Sequence, residues 1–324
     1  MSNPENANQL MLNITAVERD TRIGKDALRV WEKRYGFPTP KRDINGERLY
    51  PPDQVEKLRV IKRLLDAGHR PGRIVSLTLE DLHRLGEELR ESDVAKPAAA
   101  NVAPEQQNEI QDIITLLKSH NPAQIRRRFS QIIMRTGLSQ FVLKVAIPLM
   151  HEIGEAWASG ELHIFEEHLC SEMLETSLRT AMASAPEANQ HSRPRVLLST
   201  FPGESHSLGL LMAEAIFQVE GCACMSLGAQ TPLHDLVNAA RAHRADIIAV
   251  SFSAASNPGH ATDGLTELRA MLPPNIELWA GSPHPILHRR GVPGVQLLSD
   301  LEHIPVQIHR WRAQDPGRPD ILSN

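Results

Sequence analysis

The sequence predicts a multi-domain protein: a winged helix-turn-helix, then a four-helix bundle, then a doubly wound α/β domain. Three observations carry that prediction. A basic helical head ends in a short Asn-Gly hairpin, residues 105 to 185 read as helix with short breaks, and from residue 195 onward buried strands alternate with helices.

The head comes first in the chain. Residues 11–75 hold 15 Lys and Arg against 9 Asp and Glu, an excess of six positive charges in a chain whose net charge is −4. The remainder is therefore acidic, at about −10, and a basic head on an acidic body points to an anionic partner at the head. Asn13 or Thr15 can cap a first helix from Ile14 to Arg19, and a second runs from Lys25 to Tyr35. On the second helix Lys25, Arg29 and Lys33 recur every four residues, a basic stripe opposite Ala27 and Trp31. In Arg42-Asp43-Ile44-Asn45-Gly46-Glu47-Arg48-Leu49-Tyr50 the Asn-Gly pair signals a two-residue hairpin loop between short strands. Such a wing presents Arg42 and Arg48.

The stretch from Leu28 to Phe37, with Asn45 to Tyr50, resembles the MerR-type winged DNA-binding domain. What the resemblance implies is double-stranded operator DNA as partner, with a recognition helix in the major groove and a wing on adjacent phosphates. Candidate contacts are Lys25, Arg29, Lys33 and Arg34 from the helix, and Arg42, Arg48 and Tyr50 from the wing.

A further helix is expected over Asp53 to Ala67, ended by Gly68-His69-Arg70-Pro71-Gly72, and a short one near Leu79 to Leu89 closes a domain of residues 10–90. Residues 91–105 are rich in Ala and Pro without periodicity, and read as a mobile linker. Residues 106–185 then form the bundle, with breaks near Asn121-Pro122, Gly137 and Gly160. Its last part carries Trp157, followed by Ile164, Glu167 and His168. Ile164 and His168 are four apart, hence neighbours on one helix face. Read without context, Trp157 is a bundle-core aromatic and His168 a satisfied histidine.

Residues 186–194 form a second linker, and the α/β domain spans 194–313 with strands near 195–200, 222–227, 246–252, 276–281 and 295–298. Between the first of these and its helix lies Glu204-Ser205-His206-Ser207-Leu208-Gly209, in the loop region where open α/β sheets hold ligands. A neutral imidazole suits a borderline first-row metal, a carboxylate can hold its second nitrogen, and glycine lets a bulky group approach the backbone. The bland reading is a loop histidine beside a capping residue.

Glu204-x-His206-x-x-Gly209 resembles the cobalamin-binding signature Asp/Glu-x-His-x-x-Gly, in which the histidine ligates cobalt from below the corrin. Trp157 with Glu167-His168, in a bundle directly before such a domain, resembles the helical cap of the CarH and LitR photoreceptors. The resemblance implies that Trp157 covers the upper face of adenosylcobalamin with Glu167 and His168 beside it, His206 as lower cobalt ligand, and His168 as upper ligand after light. It also implies a tetramer in the dark and a smaller species in the light. Ser226-Leu227, Ser251 with Ser253, and Gly281-Ser282 resemble the family's positions lining the slot for the nucleotide tail. Ser282 stands where the family has a second glycine, and its side chain is expected to crowd that slot.

No run is long and apolar enough to span a bilayer and no signal peptide precedes the head, so the expected location is cytoplasmic. Cys170, Cys222 and Cys224 are too few for a disulfide framework and read as buried small residues. Three functions remain open: a cobalamin-dependent light-responsive regulator, a MerR-type regulator sensing another ligand or a partner protein through the same fold, and a cobalamin-dependent enzyme subunit. The last would need a substrate-binding barrel or a separate catalytic chain.

Overall fold

The computed structural model describes residues 11–21, 23–66, 69–85, 104–158, 161–184, 192–253 and 256–314. Its contacts divide the chain into two compact units: one runs to Asn101 and includes Gly154–His163, and the other comprises Val102–Ile153 and Ile164 onward.

In the first unit β1 (Leu12–Asn13) leads into α1 (Ile14–Thr21), whose first turn is closed by Asn13 Oδ1 accepting from Ala16 N at 2.8 Å. Next come α2 (Lys25–Tyr35), β2 (Lys41–Arg42), β3 (Arg48–Tyr50), α3 (Pro52–Asp66) and α4 (Pro71–Ile74). A further helix, α5, occupies 79–85; its expected end near Leu89, like the expected helix stop at Ala67-Gly68, lies outside the described residues. Helix α2 ends at Gly36, which adopts the left-handed conformation that glycine tolerates at φ 69°. The three strands pair antiparallel in the order β1-β3-β2. Val17, Leu28, Trp31, Leu58 and Ile61 from the apolar faces of α1, α2 and α3, with Tyr50 from β3, make the core.

The hairpin differs from expectation. Arg42 pairs with Arg48, Asp43 N donates to Glu47 O at 3.0 Å, and Gly46 N donates to Asp43 O at 3.0 Å. Hence the loop has three residues, Ile44-Asn45-Gly46, with Gly46 at φ 80°. The Asn-Gly pair sits one position later than a two-residue loop requires, and the left-handed glycine closes a bulged hairpin instead.

The second unit opens with α6 (Pro104–Lys118), so helix begins inside the segment expected as linker; residues 91–103 lie outside the described residues. Asn121 Oδ1 caps α7 (Pro122–Thr136) by accepting from Gln124 N. After Gly137 come α8 (Leu138–Phe141), a π-helical turn at Val142–Ala146, α9 (Ile147–Ala158) and α10 (Ile164–Ala183). These form the bundle, and Phe129 meets Phe141 edge-on at 5.5 Å in its core. The break at Gly160 and most of the second linker, 186–191, lie outside the described residues. Trp157 stands at the end of the third helix rather than on the last one.

The α/β domain has β4 (Arg195–Ser199), α11 (Leu208–Val219), β5 (Ala223–Ser226), α12 (Leu233–Ala242), β6 (Ile247–Ser251), α13 (Pro258–Met271), β7 (Glu277–Gly281), α14 (Pro285–Arg290), β8 (Val295–Leu298) and α15 (His303–Ala313). All five strands are parallel, in the order β5-β4-β6-β7-β8. This is the doubly wound fold, with crossover helices covering both faces and the three middle strands nearly continuously apolar. Phe201, just after β4, packs edge-on against Phe252 at 5.1 Å. A Cβ on Gly264 of α13 would stand 2.8 Å from the Phe201 ring, so glycine there lets α13 close tightly on the loop that leads to Glu204. From the bundle, α10 packs along α11, and Lys144 Nζ reaches Glu302 Oε1 at 2.6 Å.

Candidate cobalamin site and nucleic-acid interface

The β4–α11 loop is built around one buried carboxylate. Its Glu204 is 5% exposed; Thr200 Oγ1 donates to Glu204 O at 2.6 Å, and Glu204 N donates to Phe201 O at 3.0 Å. One side-chain oxygen accepts from His206 N at 2.8 Å and lies 2.6 Å from His206 Nδ1. The other accepts from Ser253 N at 2.9 Å, from Ser253 Oγ at 2.7 Å and from the Ser256 hydroxyl. Glu204 therefore ties the loop after β4 to the loop after β6. Burial by itself raises its pKa, but the hydrogen bonds from His206, Ser256 and Ser253 outweigh that and hold the carboxyl well below its ordinary range.

An ionised carboxylate only accepts, so the Nδ1 facing it carries the hydrogen, and in the neutral ring Nε2 keeps its lone pair. That is the form in which a histidine ligates a metal.

His206 opens onto a cavity of about 360 Å³. Gly209, Leu210, Met212 and Phe217 of α11 form one wall; Val250, Ser251, Trp279 and Gly281 from the sheet form another, with Ser253, Ser282, Leu298 and Ile304 completing it. Ile147 of the bundle also reaches it. Most of the lining is apolar, as small-molecule sites are. A Cβ on Gly209 would lie 3.5 Å from Ser251 Oγ and one on Gly281 3.9 Å from Val250 O, ordinary contacts, so internal packing does not demand glycine at either place. Both residues instead keep the cavity wall low. A histidine with a free Nε2 beside a slot with low walls and small hydroxyls fits the lower face and nucleotide tail of a cobalamin. The volume is that of a part of such a ligand, not the whole of it.

The structure brings Glu204, His206, Gly209, Ser251, Ser253, Gly281 and Ser282 to this one place. Ser205 is exposed on the loop. Ser226 and Leu227 do not line the cavity: β5 is the edge strand beyond β4, and both residues are exposed at its carboxyl end while the cavity lies over β6, β7 and β8. The Ser282 hydroxyl accepts from His284 N at 3.1 Å, so it is engaged in the turn before α14. Sequence reasoning missed Ser256, Phe217, Trp279 and Ile147. Ser256 follows Ser253 by three residues in the same loop and was open to detection; the apolar three read as ordinary core.

On α10 the Glu167 carboxylate meets His168 Nδ1 and also accepts from Ser171 Oγ at 2.9 Å. Ile164 starts the same helix, and the His168 side chain is largely exposed. Trp157 ends α9, within the other compact unit.

In the head, α2 carries Lys25, Arg29, Lys33 and Arg34 as expected, but two are already paired. Lys25 Nζ lies 3.4 Å from Glu18, and Arg29 Nη1 lies 3.0 Å from Asp26. Lys33 is exposed, and Arg34 lies over the Tyr35 ring at 5.4 Å. On the wing Arg42 donates to Gly46 O at 2.8 Å, and Arg48 Nε donates to Glu32 Oε2 at 2.7 Å, a hydrogen bond that raises the Arg48 pKa. Tyr50 is corrected from a candidate DNA contact to a core residue. It is 0% exposed on the central strand, and burial raises its phenol pKa.

Comparison with known proteins adds the following. Residues 12–80 match the family described as MerR HTH family regulatory protein, and residues 109–181 and 194–296 match two families each described as B12 binding domain. The chain is 29% identical over 270 residues to the HTH-type transcriptional repressor CarH of Myxococcus xanthus, covering 83% of this chain and 87% of that protein. It is 28% identical over 269 residues to the repressor CarA of the same organism, covering 82% and 84%. Among solved structures, the Methanosarcina barkeri monomethylamine corrinoid protein aligns with a TM-score of 0.50 at 12% identity, over 63% of this chain and 99% of that one, a likeness of fold. A MerR head precedes two B12-binding domains, and the chain is similar to CarH and CarA over most of their length, which together support a CarH-type cobalamin-binding regulator.

Proposed function

We propose that this chain is a light-responsive repressor whose grip on operator DNA is set by adenosylcobalamin. Its coarser function, a cobalamin-binding transcriptional regulator rather than an enzyme, follows from its domains and from its similarity to two named repressors. The observation that supports the finer reading is His206, held by a buried Glu204 at the mouth of an apolar cavity, in a chain that also carries Trp157, Glu167 and His168 at the spacing of the photoreceptor cap.

His206 would hold the cobalt through Nε2, and Glu204 keeps the His206 ring oriented and its tautomer correct. Gly209, Ser251, Ser253, Gly281 and Ser282 receive the nucleotide tail. Trp157, Ile164 and His168 would serve the adenosyl side of the cofactor, with Glu167 orienting the His168 ring. When bound, adenosylcobalamin supplies a cobalt–carbon bond that visible light breaks. In the dark four copies of the chain assemble, and their several MerR heads hold operator DNA together; linked heads can exceed one head in avidity by ~100-fold or more. In the light the assembly would fall to a smaller species and release the operator. The protein acts in the cytoplasm; among the described residues no helix is long and apolar enough to cross a membrane.

The test is size-exclusion chromatography and DNA binding of the full chain with adenosylcobalamin, in the dark and after green light. A large dark species that binds DNA and a smaller illuminated species that does not are expected. Equal elution volume and equal DNA affinity in both conditions overturn the light switch, and absence of a cobalamin spectrum overturns the cofactor.

A further inference from the structure

The tip of the wing holds a residue that neither turn chemistry nor folding explains. Ile44 is fully exposed, more so than any other large apolar side chain among the described residues. It sits in a three-residue loop, where Gly, Asn, Asp and Ser are the usual occupants because they accept turn geometry and face water well. A β-branched apolar residue does neither. Nor is the loop loose: Asp43 Oδ1 accepts from Asn45 N at 2.9 Å and Glu47 N at 2.8 Å, and Arg42 donates to Gly46 O at 2.8 Å. Together with the two backbone bonds that close the hairpin, these fix the tip and hold Ile44 outward.

Charge bears on what Ile44 meets. Lys41, Arg42 and Arg48 face Asp43 and Glu47 in the same hairpin, and Arg48 is already paired with Glu32. With Arg42 and Arg48 on its strands offsetting Asp43 and Glu47 the hairpin is nearly neutral, and while the arginines can meet phosphates, the tip between them has no cation to do so. A rigid, nearly neutral tip ending in one apolar side chain has the form of a wedge. Minor-groove proteins insert such side chains between base steps, partly unstacking and kinking the duplex.

We propose that Ile44 is an apolar wedge that enters the minor groove of duplex DNA beside the segment gripped by α2 and unstacks a base step there. The proposal rests on the DNA-binding reading of the head. It adds a source of affinity that does not depend on salt and a source of sequence preference at a step that no side chain reads by hydrogen bonding. Flexible pyrimidine–purine steps are the ones that unstack at least cost.

The experiment uses the full chain, a short duplex enriched by it from a random pool, and the same duplex carrying 2-aminopurine at successive positions under the wing. Wild type should raise 2-aminopurine fluorescence at one step. Ile44→Ser should abolish that rise and weaken binding by about tenfold, the loss of roughly one buried apolar side chain. The slope of log affinity against log salt should be unchanged, because no phosphate contact is lost. Ile44→Met should restore both the fluorescence rise and most of the affinity. Equal affinity and equal fluorescence in Ile44→Ser and wild type overturn the wedge, as does a reduced salt slope in Ile44→Ser. A change of elution volume in Ile44→Ser without a change in DNA binding also overturns it, by assigning Ile44 to contact between copies of the chain. A wild-type chain that enriches no duplex removes the DNA-binding reading itself, and the wedge with it.

Discussion

Glu204 and His206 form one unit: a single carboxylate oxygen meets both the backbone N–H and the Nδ1 of a histidine two residues on, while the second oxygen is anchored to the loop after β6. The histidine is oriented from two sides before any ligand arrives. Preorganisation of this kind lowers the ordering cost of binding.

His206→Ala should therefore remove the side chain that would hold the metal and leave only the tail slot, so that cobalamin binding measured by absorbance titration becomes weak. Glu204→Gln keeps the ligand but loses its orienting partner, and such supporting residues typically cost ~10 to 100-fold in affinity. The order of the two variants matters most: a Glu204→Gln chain that binds less tightly than His206→Ala contradicts the assignment of His206 as the ligand.

Acid should act on the same unit. The Glu204 carboxyl titrates in the folded chain below its ordinary value of 4.5, because the hydrogen bonds made to it outweigh its burial. Its contribution to stability is complete above that ordinary value, declines as pH falls beneath it, and is gone below the folded-state value. Urea midpoints taken between roughly pH 7 and pH 3 should fall less steeply for Glu204→Gln than for wild type. Parallel curves would assign the acid sensitivity to other carboxylates.

Tyr50 gives a sharp contrast in the head. Its hydroxyl is buried and has no hydrogen-bond partner among the described residues, so Tyr50→Phe removes an unsatisfied polar atom without opening a cavity. Thermal stability should stay equal or rise, by up to about 1 to 3 kcal/mol, and DNA affinity should not change. A clear loss of DNA binding with an intact fold would return Tyr50 to the interface.

Arg48 is bonded to Glu32 across the hairpin–helix contact. Removing it takes away a cation and also leaves the Glu32 carboxylate uncompensated near the DNA-facing surface. Arg48→Ala should lower the salt slope by ~1 and weaken binding to all sequences alike. Adding Glu32→Gln should recover part of that affinity, which fluorescence anisotropy at two salt concentrations can measure. No recovery would mean that Glu32 does not face the duplex.

Much of this protein was legible in the order of its residues. Helix-period apolar spacing marked α2, α3 and the bundle, and short, mostly apolar runs alternating with helical stretches marked the five parallel strands, because such patterns are local properties of the sequence. The pair Glu204 and His206 was also readable, since both lie in one loop. Other features were decided only by tertiary structure. Tyr50 on the wing strand looked like a contact, yet the packing of α1 and α3 around the central strand buries it. Ser226 and Leu227 followed a strand end just as Ser251 does, but strand order, a non-local property, placed β5 at the sheet edge and β6 beside the cavity. Ser253 and Ser256 join Glu204 across a separation of about fifty residues, and Phe217 and Trp279 reach the cavity from elements whose sequences say only that they are buried. Periodicity tells a side chain which face of its own element it occupies; only the assembled sheet and helices determine what lies opposite that face.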